Sequence, residues 1–519
     1  MPVPKEIEVK LEFPPACVPE FKTIPLLRSL GKRATSETQV SVYFDTGKHK
    51  LRRNGLTLRI RRVGDRYRQT VKAAGNSQLF ERDEWESDLA QEAPDLRLAR
   101  GTALEPLLSD KTCRQLKPVF ETRVRRTTYP IADDKRAVAL TLDEGQIEAG
   151  RRCEPLCEIE LELERGKEAE LFELARALSR AVPAQLVLKS KAERGYELLE
   201  DKEKAAAKSA PIDLVAGIST RDAFQIIGRA CLKQVVGNES ALLAGDPEGV
   251  HQMRVGLRRL RAAMSLFADI LGDPETDALK RELKWLTREL ASARELYVLE
   301  TRVVAPVRRR HSRAVGVSSL SRDLAEQRAA AVARAQEAVR SARFRELTLD
   351  IAAWLEAGQW TRPQDDSVHD RSEVPIEDSA TEQLTRRFKK IRKRGKKLSQ
   401  LDPGRRHKLR IQAKKVRYAS EFFAGVFPGK QASKRRKKFL AALEDLQDCL
   451  GDLNDIAVHE DRITAIAGGG RRSRRRRGNP KRAFAAGLLT GHEDARLDTV
   501  MENATDAHKA LAKRKPFWR

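Results

Sequence analysis

Carboxylates and a cation alternate with apolar residues in Glu6-Ile7-Glu8-Val9-Lys10, near the start of the chain. Period-two alternation reads as a β-strand, with Ile7 and Val9 on one face and Glu6, Glu8 and Lys10 on the other. Carboxylate oxygens suit hard divalent cations such as Mg2+ or Mn2+, and Lys or Arg suits phosphate oxygens. A solvated outer face would carry the same residues. Recurrence separates the two readings. Leu58-Arg59-Ile60-Arg61 places Arg59 and Arg61 in one phase, and Tyr67–Lys72 and Arg82-Asp83-Glu84-Trp85-Glu86 follow. Phe120–Arg126 has Arg123 and Arg125 in phase, Ala137–Leu142 runs into Asp143, and Glu158–Glu164 repeats and lengthens the opening motif.

Such charges meet only if strand register is fixed. About eight strands can be counted, with helical patterns near Glu20–Leu30, Asp95–Arg100 and Glu168–Ala181. An eight-stranded antiparallel β-barrel with flanking helices would collect them in a polar interior while apolar residues face outward. Lys10, Arg59, Arg61, Lys72, Arg123, Arg125, Lys189 and Lys191 would then face Glu6, Glu8, Glu84, Asp143, Glu158 and Glu160. Burying that many charges merely to pair them costs desolvation energy. A highly charged anion together with divalent metal gives both sets a role.

Composition divides the chain. Residues 1–200 hold 36 Lys and Arg against 33 Asp and Glu, leaving 65 against 42 in residues 201–519, so nearly all of the +26 formal charge lies in the second part. A basic surface of that size attracts polyanions: nucleic acid, acidic membrane or phosphate chains. Aromatic residues make up only 5% of the chain, which offers little base-stacking surface and ranks nucleic acid below inorganic phosphate chains. Six dispersed cysteines make no disulfide framework. With no apolar leader and no run of about 18 apolar residues, the expectation is a cytoplasmic protein without a membrane span.

The ordered set Glu6-x-Glu8-x-Lys10, Leu58–Arg61, Arg82–Glu86, Asp143, Glu158-x-Glu160-x-Glu162 and Lys189-Ser190-Lys191-Ala192-Glu193-Arg194-Gly195 resembles the CYTH family, the triphosphate tunnel metalloenzymes, over about residues 1–200. The resemblance implies a barrel tunnel that hydrolyses a triphosphate with Mg2+ or Mn2+. Glu6, Glu8, Asp143, Glu158 and Glu160 would hold metal. Lys10, Arg59, Arg61, Lys72, Arg123, Arg125 and the Lys189/Lys191 pair would grip phosphate, with Glu84 among the catalytic set. Lys189 and Lys191 share parity, so either can be the inward one.

Residues 201–212 read as a linker, after which the period turns helical over about 213–515. The informative feature is a repeat. His251-Gln-Met-Arg254-Val-Gly-Leu-Arg258-Arg259-Leu-Arg261 matches His407-Lys-Leu-Arg410-Ile-Gln-Ala-Lys414-Lys415-Val-Arg417, and a weaker match relates Leu290–Val298 to Leu450–Val458, where Arg294-Glu295 replaces Asn454-Asp455. At about 100° per residue, His251, Arg254, Arg258 and Arg261 share one stripe, as do their counterparts. Like charges so stacked repel unless an anion sits among them. The duplicated signature resembles the CHAD domain, the conserved histidine α-helical domain. It implies a pseudo-twofold all-α bundle, with halves at about 213–360 and 379–465, whose basic residues bind inorganic polyphosphate. Thr361–Ser379 reads as a loop. A segment at about 466–482, including Arg471–Arg477, has the composition of disorder, and Arg482–Lys513 can form one more helix.

The fold expected is thus α+β and multidomain, and the activity that of an inorganic triphosphatase with a polyphosphate-binding partner domain. Two alternatives stay open: a non-catalytic polyphosphate-binding or granule-associated protein, and a triphosphatase or cyclase acting on an organic triphosphate.

Overall fold

The computed structural model describes residues 5–73, 80–201, 205–311, 316–467 and 480–519. The chain forms two compact units: Met1–Ala207 together with Val339–Thr361, and Lys208–Ala338 together with Arg362–Arg519.

The first unit is built on one antiparallel sheet of nine strands: β1 (Lys5–Glu12), β2 (Thr35–Asp45), β3 (Leu56–Val63), β4 (Arg66–Ala73), β5 (Glu81–Leu89), β6 (Lys117–Ala132), β7 (Ala137–Ala149), β8 (Arg152–Arg165) and β9 (Gln185–Val187). Their order is β5-β4-β3-β2-β6-β7-β8-β1-β9. The expected eight-stranded barrel is corrected here. One side of β1 pairs with β8, while its other side meets β5 over only Lys5–Ile7 and then the short β9 over Lys10–Glu12. The sheet curls until its ends touch through that brief seam, rather than closing along a full-length eighth strand. The β3–β4 hairpin turns at Gly64-Asp65, where Gly64 takes a φ of 57° that a side chain would strain.

Alternation decides which face each residue takes. Val9, Leu11, Leu140, Leu142, Ile159 and Leu161 are fully buried beside the amphipathic helix Glu168–Ala181, which presents Leu171, Phe172, Ala175 and Leu178. That helix packs in turn against Ala342–Ala357, with Arg176 on Asp350 at 2.7 Å and Arg180 on Glu346 at 3.0 Å. Residues 339–361 therefore pack with the sheet, although sequence continuity placed them in the helical part. A second apolar layer gathers Phe44, Leu51, Leu56, Leu58, Ile60 and Val71. Residues 95–100 form turns rather than the expected helix.

One part of the inner face is apolar too. Tyr43, Phe120, Val124, Ile147 and Leu156 pack against Ala192 and Tyr196 of the helix Lys191–Leu199. A Cβ on Gly195 would lie 2.2 Å from the Phe120 ring, so only glycine permits this approach. Ser190 caps the helix: its Oγ accepts from Glu193 N–H at 3.1 Å, while its own N–H donates to Glu193 Oε2 at 2.8 Å. Lys191 is thereby fixed as the first helical residue.

The second unit is helical. Both signature helices, Pro247–Leu266 and Pro403–Phe422, are 20 residues long, begin with proline and are capped by aspartate. Asp246 accepts from Glu248 N–H and Asp402 from Arg405 N–H, each at 2.8 Å. The repeat therefore reaches back to an Asp-Pro start five residues before each histidine. Thr361–Ser379 contains the helix Asp366–Glu373, and the end of the chain forms two helices, Pro480–Asp494 and Leu497–Ala512. Arg471–Arg477 lie outside the described residues. The six cysteines are free, and among the described residues no helix is long and apolar enough to cross a membrane.

Candidate active site

The charged residues of β1, β7 and β8 converge on the inner face of the sheet. Asp143 and Glu158 are completely buried, and Glu8, Lys10 and Lys191 nearly so. Lys10 Nζ lies 2.7 Å from Glu160 Oε1 and 3.1 Å from Glu8 Oε1. Lys191 Nζ lies 2.6 Å from Glu158 Oε1, 2.8 Å from Glu160 Oε1 and 2.9 Å from Asp143 Oδ2. Arg126 spans the other side, donating from Nε to Asp143 at 2.7 Å and from a terminal nitrogen to Asp143 at 2.6 Å and Glu160 at 2.5 Å.

Opposite them, Glu84 of β5 takes Lys72 at 2.8 Å and Arg59 at 3.3 Å. Arg61 donates to Ser41 Oγ at 3.4 Å and has no ion pair among the described residues. Burial, with Arg59 and Arg126 adding repulsion, pushes Arg61 down to about 10. A buried guanidinium without a carboxylate is costly unless an anion joins it.

Titration follows from these contacts. Burial alone would raise Glu160, but Lys10, Lys191 and Arg126 outweigh it and hold the carboxyl well below its ordinary range. Asp143 is lowered likewise, by Lys191 and Arg126 acting against burial. For Glu158, burial prevails over Lys191 and Lys10, and the carboxyl is raised. Lys10 and Lys191 are held protonated: desolvation opposes the charge, and the surrounding carboxylates overcome it.

The donor set fits a divalent metal. Asp143, Glu158 and Glu160 each offer an oxygen within 4.8 Å of the others. Glu158 Oε2 is buried without a hydrogen-bond partner, and all-oxygen carboxylate donors match Mg2+ or Mn2+. Glu6 sits in β1 opposite Arg82, and its side chain lies outside the described residues.

Three expected inward cations are not there. Arg123 pairs with Glu121 at 2.6 Å, Arg125 with Glu144 at 2.9 Å, and both side chains are more than half exposed. Lys189 is turned to Glu197 at 2.8 Å. Arg123-Val124-Arg125-Arg126 carries cations in both phases, and the expectation put Arg123 and Arg125 inside. Val124 instead joins the inner apolar cluster, which brings Arg126 inward with it. The strand register agrees, since Arg126 stands opposite Asp143. Arg194 was also missed; nearly buried, it bridges Glu12 at 3.2 Å and Glu154 at 3.0 Å.

In the helical unit the two signature helices touch, and Arg254, Arg258, Arg410 and Lys414 form one electropositive group beside His251. Burial and then Arg258 and Arg410 push Lys414 down to about 7, with Asp455 opposing. Burial and then Arg258 bring Arg254 to about 10, and burial with Arg294 brings His251 to about 4. Arg294 thus adds a cation where the second half has Asn454, which meets His407 Nδ1 at 2.6 Å. The other signature residues go elsewhere. Arg259 lies over the Phe422 ring at 5.4 Å, and Lys415 donates to Ser265 Oγ at 2.9 Å. Arg417 is neutralised by Glu421 at 2.8 Å, and Arg261 is exposed near Lys415.

Comparison with known proteins agrees with both halves. A family model of the CYTH domain matches residues 4–196, and one of the CHAD domain matches residues 226–464. An inorganic triphosphatase from Haemophilus influenzae is 31% identical over 201 residues, covering 37% of this chain and 55% of that protein. The chain thus spans about half the length of this curated relative. The crystal structure of the CHAD domain from the plant Ricinus communis is 27% identical, with a TM-score of 0.50, covering 59% of this chain and 97% of that one. PptA from Streptomyces chartreusis is 18% identical with a TM-score of 0.42, covering 56% of this chain and 99% of that one. The chain therefore joins a CYTH domain, residues 4–196, to a CHAD domain, residues 226–464.

Proposed function

We propose that the sheet unit is a metal-dependent inorganic triphosphatase acting on tripolyphosphate, and that the helical unit binds inorganic polyphosphate. The observation that carries the first part is the buried trio Asp143, Glu158 and Glu160 beside a wall of cations, of which Arg61 makes no ion pair among the described residues. The trio, with Glu8 and Glu6, would hold Mg2+ or Mn2+, which supplies charge neutralisation on phosphate oxygens and acidifies a water. Arg59, Arg61, Lys72, Lys10 and Arg126 would bind and align the phosphate chain, the main requirement of phosphoryl transfer. Glu84 orients Arg59 and Lys72. No nucleophilic side chain is needed. The polyphosphate site would be the group Arg254, Arg258, Arg410 and Lys414, a concentration of positive charge that a phosphate chain relieves, with His251 beside it as a hydrogen-bonding group. Both ligands would be met in the cytoplasm, at polyphosphate granules.

Phosphate release from tripolyphosphate, ATP and thiamine triphosphate, each with Mg2+ or Mn2+, tests the substrate. Metal-dependent release from tripolyphosphate in preference to the others is expected. Preference for an organic triphosphate would overturn the substrate and keep the chemistry. Absence of release from all three, with polyphosphate still bound, would leave a binding protein.

A further inference from the structure

The carboxylates offered to a metal already share a cation. Lys191 Nζ touches Asp143, Glu158 and Glu160 at 2.9, 2.6 and 2.8 Å, and these are the three whose oxygens approach one another within 4.8 Å. A divalent ion held by these three carboxylates would compete with the ammonium for the same negative charge, and two cations so close in a buried site repel.

The backbone of Lys191 cannot simply withdraw. The residue opens a helix locked by the Ser190–Glu193 capping box and by the close packing of Gly195 on Phe120. Its Cα is anchored, and only the side chain is free to turn. A buried ammonium deprived of its carboxylates is costly until it finds another anion, and a phosphate chain entering beside Arg61 is one.

Building on the triphosphatase reading, we propose that Lys191 is a displaceable counter-ion of the metal site. It holds the acidic trio together before metal enters, yields that place to the divalent ion, and hands its charge to the phosphate chain. Lys191 is then a positioning residue for metal as well as a phosphate ligand, and a single side chain couples the two binding events.

Titration calorimetry of the full chain with Mn2+ alone tests this, comparing wild type, Lys191→Met and Lys22→Met. Lys22 is a charge control, since it pairs with Glu144 at 2.9 Å on the outer side of the sheet. Without its competitor, Lys191→Met is expected to bind Mn2+ about tenfold more tightly, the scale of one charge-assisted contact. Lys22→Met should change by less than about twofold, the scale of a screened charge. In Mn2+, Lys191→Met should also bind non-hydrolysed imidotriphosphate about tenfold more weakly, again one such contact. Unchanged or weaker Mn2+ binding by Lys191→Met, or equal tightening in both variants, overturns the displacement and leaves the triphosphatase reading standing. Unchanged imidotriphosphate binding overturns the hand-over. No Mn2+ binding by wild type overturns both the inference and the reading beneath it. Should Lys191→Met not fold, the Mn2+-induced rise in thermal midpoint of Lys191→Gln must exceed that of wild type; an equal or smaller rise overturns the proposal.

Discussion

Arg126 and its neighbours Arg123 and Arg125 are three cations of one strand with different work. Arg126 forks onto Asp143 and also reaches Glu160, while the other two pair at the exposed face. Lysine keeps a charge but not a planar fork, so Arg126→Lys is expected to lower kcat/KM for tripolyphosphate by about tenfold or more. Arg123→Ala/Arg125→Ala should stay within about twofold, as for surface pairs of small worth. Steady-state kinetics on both variants would decide it, and equal losses would contradict the assignment. The carboxylates give a second expectation. Asp143 and Glu160 are lowered in the folded protein, so the stability they contribute is fully present above the unfolded carboxylate range near pH 4 and is lost as pH falls below it. Acid unfolding should therefore steepen below about pH 4, and Glu160→Gln should blunt that dependence in denaturant titrations at several pH values.

Among the elements, the helix Lys191–Leu199 does most to shape the site, because it both seals the inner apolar cluster and delivers Lys191. Gly195→Ala would force a methyl group into the Phe120 ring and should cost about 1–3 kcal/mol of stability, as overpacking does. Thermal or denaturant unfolding would show it, and a neutral substitution would mean that the ring gives way. The strands themselves were largely legible in the sequence. Glu6–Lys10, Leu58–Arg61 and Glu158–Glu164 announce their period directly; Glu8, Lys10, Arg59 and Glu158 are buried, while Glu162 and Glu164, in the same phase as Glu158, are exposed. β6 was misphased because its inner face is apolar at Phe120 and Val124 while Glu121, Arg123 and Arg125 charge its outer face, the reverse of the polarity on the neighbouring strands. The three-residue β9 is too short to carry a pattern, and it is what makes the sheet nine-stranded. Lys189 and Lys191 share parity, and the capped turn at Ser190 rather than strand alternation settles which of them meets the carboxylates.

The two units divide the charge of the molecule between them: nearly balanced in the sheet part, strongly basic in the helical part. Repetition made the helical fold readable, since two Asp-Pro starts and two His-headed stripes write the same element twice. It did not tell which cations meet, because facing and flanking positions on adjacent helices look alike in one dimension. Lys414, pushed down to about 7 by burial and by Arg258 and Arg410, is half-neutral near physiological pH. An anion bound there restores its charge, so polyphosphate binding should take up protons at about pH 7–8 and strengthen as pH falls through that range. Calorimetry in buffers of different ionisation enthalpy measures the uptake, and Lys414→Met should abolish most of it. Uptake that persists in that variant would place the ligand elsewhere.

The buried acidic trio and its cations are proposed to form a triphosphatase centre. Its most direct test is the rate of phosphate release from tripolyphosphate with Mn2+, comparing wild type with Glu158→Gln/Glu160→Gln after both are shown to be folded. Wild type should turn over only with metal, and the double variant should lose about 100-fold or more, as when transition-state charge stabilisation is removed. Metal-dependent hydrolysis that survives the double substitution would place the catalytic centre elsewhere.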